Sequence, residues 1–146
     1  MSGDINTRAT AALRALGIDF LKGWSLVDDS GARAVVVELG PRWREDEFWK
    51  PQNEQAIGEG LAAFRPGYGL TALTGWLVDL SDPVTAASLI VLVREAWGDD
   101  VYGTESDPTE GRRLAMWLPG DLWVYGDTWA DLYVAALVAK AREVAP

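Results

Sequence analysis

The sequence predicts an α+β fold, an antiparallel sheet built from hairpins with about three helices packed on it in the manner of an α-β-α sandwich. Helix-spaced apolar residues begin and end the chain, and a third such stretch lies between them. Two strand-type stretches each fold back around turn residues. The resulting order is helix, hairpin, irregular segment, strand, helix, hairpin, helix, which suits antiparallel pairing better than βαβ crossovers. A length of 146 residues suits a single domain, 1–146.

The first helix is expected from about Thr7 to Leu16, where Ala9, Ala12, Leu13 and Leu16 fall on one face; Asn6 or Thr7 can cap it and Gly17 stops it. Trp24–Val27 and Ala32–Leu39 then read as a hairpin around Asp28-Asp29-Ser30-Gly31. Residues 41–53 mix Trp43, Phe48 and Trp49 with charges and read as a loop. A short helix is expected near Glu54–Phe64, weakened by Gly58 and Gly60. Arg65-Pro66-Gly67-Tyr68-Gly69 is a turn, and a strand follows within Leu70–Leu80, best at Trp76-Leu77-Val78.

The clearest helix start comes next. Asp82 suits the N-cap and Pro83 the first helical position, and the helix runs to about Trp97 before Gly98. Its Leu89-Ile90-Val91-Leu92-Val93 run is apolar on more than one face. After an acidic loop with a short strand at Val101-Tyr102, residues 112–126 read as a second hairpin with Pro119-Gly120 at the tip. A two-residue tip puts Leu114, Met116, Trp123 and Tyr125 on one face and Ala115, Trp117, Leu122 and Val124 on the other. Trp117 and Trp123 are then expected on opposite faces, both largely buried. The last helix starts at Asp127 or Thr128, with Thr128 and Asp131 at capping-box spacing. The surplus of apolar faces predicts a homodimer.

Composition narrows the chemistry. The chain has no histidine and no cysteine. It therefore lacks the usual neutral-pH base, the commonest metal ligand and any thiolate, which removes Ser-His-Asp and Cys-His hydrolases and thiolate zinc sites. No catalytic, cofactor or metal residues are assigned, and the expectation is a protein that is not an enzyme and carries no cofactor. Gly67-Tyr68-Gly69-Leu70-Thr71-Ala72 matches G-x-G-x-x-A but follows Arg65-Pro66 and leads towards a strand, so it reads as a glycine turn. The acid pairs Asp28-Asp29, Asp79 with Asp82, Asp99-Asp100, and Asp127 with Asp131 read as turn, cap or solvated residues. No apolar run approaches a membrane span, and Met1-Ser2-Gly3-Asp4 does not open a secretory leader, which predicts a cytoplasmic location.

The net charge is −9 and its placement is uneven. Residues 1–50 hold eight acids and seven bases, whereas the rest hold fourteen acids and six bases. From Glu95 to Gly111 stand Glu95, Asp99, Asp100, Glu105, Asp107 and Glu110 with no base among them. Direct nucleic-acid binding needs Lys and Arg, so it is disfavoured, and a basic protein surface is the expected partner. Eight tryptophans add contact chemistry. Trp76, Trp97, Trp117 and Trp129 fall on predicted buried faces and read as core. Trp43 and Trp49, in the charged loop, read as binding residues, with Tyr102 beside the acids.

Asp79-Leu80-Ser81-Asp82-Pro83 before one helix, a hairpin bearing Trp117, and Gly126-Asp127-Thr128 before another resemble small phage proteins of the α-β-α sandwich type, the phage ABA-sandwich proteins. The likeness covers roughly residues 76–142; the 24–39 hairpin and the 41–53 loop depart from it. It implies a phage or prophage origin, a sandwich fold and, for a phage-encoded chain, the host cytoplasm. The expected function is a phage-type accessory protein acting as a non-enzymatic interaction module, such as an inhibitor of a host defence complex. The alternative is a small-ligand or nucleotide-sequestering protein that stacks a base on tryptophan.

Overall fold

In the computed structural model, residues 4–40, 60–105 and 114–144 are described, and they form three helices and eight strands. The fold is α+β, with every strand pair antiparallel, and the strands divide into a five-stranded and a three-stranded sheet. The chain forms two compact units, residues 20–79 and residues 1–19 with 80–146.

The 20–79 unit is the larger sheet. Its strands are β1 (Ser25–Val27), β2 (Arg33–Glu38), β3 (Leu61–Arg65), β4 (Gly69–Thr71) and β5 (Leu77–Val78), in the order β4-β3-β2-β1-β5. The first hairpin forms because Asp28 organises its turn. Oδ1 of Asp28 accepts from the Ser30 backbone N–H at 2.9 Å, the Ser30 hydroxyl at 2.7 Å and the Ala32 N–H at 2.9 Å. These bonds, led by the Ser30 hydroxyl, hold the Asp28 carboxyl below its ordinary pKa. Alternation buries Leu26, Ala34, Val36, Ala63 and Val78 on one face and leaves Val35 and Phe64 exposed on the other. Leu39 and Ala62 form a small cluster there with Leu70 and Ala72. The expected helix at 54–64 is not found over its described part: Leu61–Phe64 is strand, paired with Val35–Glu38. Residues 54–59 lie outside the described residues.

The other unit centres on its C-terminal helix. The helices are α1 (Ile5–Ala15), α2 (Pro83–Trp97) and α3 (Trp129–Val144), and α3 packs against α1, α2 and the three-stranded sheet. Asp4, not Asn6 or Thr7, caps α1 by accepting from the Asn6 N–H at 2.7 Å. Asn6 is used elsewhere: its Oδ1 accepts from Leu80 N–H at 2.9 Å. The Asp82 cap and Gly98 stop of α2 form as expected, and Asp82 also accepts from the Thr85 hydroxyl at 2.7 Å. Leu13, Leu89, Val93, Met116, Leu118, Leu132 and Leu137 are fully buried. Such side chains contribute about 1.5–3 kcal/mol each by leaving water.

Candidate interaction surface

Strands β6 (Gly103–Glu105), β7 (Leu114–Leu118) and β8 (Leu122–Gly126) form the smaller sheet, with β7 central. Two glycines let α3 lie close on it. A Cβ on Gly126 would stand 2.5 Å from the Leu132 backbone nitrogen, and one on Gly103 would stand 2.5 Å from the Trp129 ring. Beneath α3 lie Leu114, Met116 and Leu118, all buried.

The β7–β8 register corrects the sequence expectation. Leu118 pairs with Leu122 and Trp117 with Trp123, so the loop has three residues, Pro119-Gly120-Asp121. Gly120 at φ 88° and Asp121 at φ 60° both take the left-handed region. A loop one residue longer than the Pro119-Gly120 tip shifts the pairing by one and exchanges the faces of β8. Trp117 and Trp123 therefore lie on the same face, and both are exposed, at 55% and 50%. Trp129 is also exposed, at 48%, and only Trp76 of the four expected core tryptophans is buried. Trp97 is half-buried; its indole N–H donates to the Ala136 carbonyl at 2.9 Å, and the Lys140 ammonium sits 4.7 Å from its ring.

The face away from α3 carries an aromatic row. Gly103 pairs with Met116, and Tyr102 immediately precedes β6 at the end of the sheet where Trp117 follows Met116. Trp117 and Trp123 pair across β7 and β8, and Tyr102, exposed at 67%, extends the row from the residue just before β6. Neighbouring strands lie about 4.8 Å apart, so the row spans about 10 Å. Asp121 adjoins it and accepts from the Trp117 indole N–H at 3.0 Å.

The predicted partner residues fall unevenly around this row. Asp99 and Asp100 stand exposed in the turn before Tyr102, and Glu95 is exposed near the end of α2. Glu105 is exposed but alternates to the face opposite Thr104 and the row. Among the described residues no ion pair engages these four acids. Trp43, Trp49, Asp107 and Glu110 lie outside the described residues. Sequence reasoning singled out Tyr102 as a contact residue and placed Trp117 in the core, without naming Trp123 or Asp121 as contact residues. The missed signal was Asp121, a residue type that tolerates the left-handed region and so permits a three-residue loop.

Of the remaining sequence motifs, Asp28 serves a turn and Asp82 a cap, whereas Asp79 is buried, its N–H donating to the Ser25 carbonyl at 2.8 Å. Gly67 (φ 84°) and Gly69 (φ 94°) turn β3 into β4, with Tyr68 N–H donating to the Arg65 carbonyl and the Arg65 guanidinium 3.9 Å from the Tyr68 ring centre. Among the described residues no three acids converge as a metal-binding cluster, and no helix is long and apolar enough to cross a membrane. Comparison with protein-family models, curated proteins and solved structures gives no match.

Proposed function

We propose that this chain is a non-enzymatic protein-interaction module whose contact surface is the open face of the three-stranded sheet. The exposed row Tyr102–Trp117–Trp123 supports this reading. Large, stiff side chains with a polar tip give contact area at low entropic cost, which is why Trp and Tyr anchor interfaces. The acids flanking the row, Asp99, Asp100 and Asp121, select a basic protein surface over a phosphate backbone. With the phage-type resemblance of residues 76–142, the module is read as a phage accessory protein, its partner class being a host defence complex.

The test compares pull-downs from host lysate at low and high salt. Wild type is set against Trp117→Ala, Tyr102→Ala, and a charge-reversed variant at Asp99, Asp100, Glu105 and Asp107. The row variants are expected to lose a salt-sensitive protein band while folding normally. Retention of every band by the row variants would sink the proposal. Saturable quenching of tryptophan fluorescence by mononucleotides, lost in Trp117→Ala, would replace it with the small-ligand reading.

A further inference from the structure

A groove of about 980 Å³ runs along the outer side of β8, an edge strand among the described residues, between it and the helices. Its apolar part includes Val124, Ala135 and Val138, each half-buried. Its ends carry opposite charge. Asp127 and Asp131 stand at the α3 N-terminal end, and Arg142 and Arg8 at the other. Among the described residues no ion pair engages either arginine. An acid at the start of a helix and a base at its end both suit the helix dipole, and the same polarity makes this face complementary to itself turned end for end.

We infer that the groove is the site of a two-fold homodimer, in which β8 pairs antiparallel with β8 of a second copy and α3 lies antiparallel to its counterpart. Three spacings agree on one axis. Of the α3 residues that line the groove, 131 pairs with 142 and 135 with 138 about a point between 136 and 137, while Ala139 has no mate in the lining. An antiparallel copy therefore sets Asp131 against Arg142 and Ala135 against Val138. On β8, the five-residue strand is symmetric about Val124. The close approach of Gly126 to Asp131 and Leu132 ties the two elements together. From Gly126 back to Val124 is about 7 Å of strand. The same distance along α3 from residue 131 or 132 reaches about residue 136. One axis thus passes beside the centre of both elements.

The lateral spacing also closes. Because α3 packs on both β7 and β8, it sits over the pair. An axis half a strand spacing outside β8 then lies about 5 Å from α3, which puts the two helices about 10 Å apart, an ordinary packing distance. Across the new strand pair, Leu122 faces Gly126 of the second copy, large against small. Trp123 faces Tyr125 of the second copy, which continues the aromatic row.

The experiment reads mass and cross-linking. Wild type is expected at the mass of two chains by light scattering at micromolar concentration. Asp131→Arg or Arg142→Asp alone sets like charges opposite one another twice per dimer and is expected to weaken dimerisation at least about tenfold. The double variant Asp131→Arg with Arg142→Asp restores opposite charges and is expected to recover most of the loss. Residues 131 and 142 are about 16 Å apart along their own helix, so recovery reports contact between copies. The chain has no native cysteine, so Val124→Cys supplies a second readout. On the axis it oxidises to a covalent dimer, whereas Ser30→Cys in the other unit does not. A wild-type mass of one chain, a double variant that folds without recovering, or a Val124→Cys variant that stays single overturns the inference. Partner capture by the aromatic row is a separate measurement, so either proposal can fail alone.

Discussion

At the scale of single residues, Gly126 and Asp28 show two ways in which one position fixes its surroundings. Gly126 makes room: any Cβ there stands against the backbone of α3 at Leu132 and Asp131, which cannot swing aside as a side-chain tip can. Gly126→Ala is expected to cost about 1–3 kcal/mol, as overpacking does. Gly40, whose Cβ would meet nothing within 4 Å, provides the control, and Gly40→Ala should shift the urea midpoint little. Asp28 acts through hydrogen bonds to its ionised form, and so depends on pH. Its folded pKa lies below the unfolded one, so its stabilisation is complete above the unfolded value and is lost as pH falls through the folded value. An NMR titration of the Asp28 carboxyl should give a midpoint below the ordinary aspartate range. Ser30→Ala, which removes the leading cause, should move that midpoint up; an unmoved midpoint would contradict the assignment.

At the scale of elements, what was legible in the sequence was local and what was missed depended on distant partners. Caps are local, and the Asp82-Pro83 start of α2 and its Gly98 stop stand as read. Asp82→Ala should therefore cost about 1 kcal/mol, seen as a melting temperature lower by about 2–4 °C. Thr128 and Asp131 also meet, although in an altered form: the hydroxyl accepts from Asp131 N–H at 3.1 Å and donates to its carboxylate at 3.0 Å. Strand β3 was not legible, because Leu61–Phe64 becomes strand by pairing with β2, more than twenty residues away. The site was half legible for a related reason. Tyr102 stood out by its place beside the acids, whereas the place of Trp117 and Trp123 depended on the loop holding three residues instead of two. A one-residue change in register inverts a strand, so periodicity alone could identify the hairpin and still assign its faces wrongly.

At the scale of the whole molecule, charge number and residue types set how stability responds to solution conditions. The chain has no histidine and no cysteine, and thirteen bases against twenty-two acids. Stability changes with pH only where folded and unfolded states bind different numbers of protons. Carboxylates ordinarily titrate near pH 4, and tyrosine and lysine near pH 10. With no histidine and no cysteine, the chain has no side chain of a type that ordinarily titrates close to neutrality. A net charge of −9 adds a second response. Like charges crowd one another more in the folded chain than in the unfolded one, so screening favours the fold. Raising ionic strength from about 0.01 M to 0.15 M cuts the Debye length from about 30 Å to 8 Å and should raise the urea midpoint. Capture of a basic partner should move the other way, because the same screening weakens attraction between opposite charges. Measured on one preparation, fold stability rising with salt while partner binding falls would place the acid excess in recognition at a cost to stability. A partner complex indifferent to salt would remove the acids from recognition and leave the aromatic row to act alone.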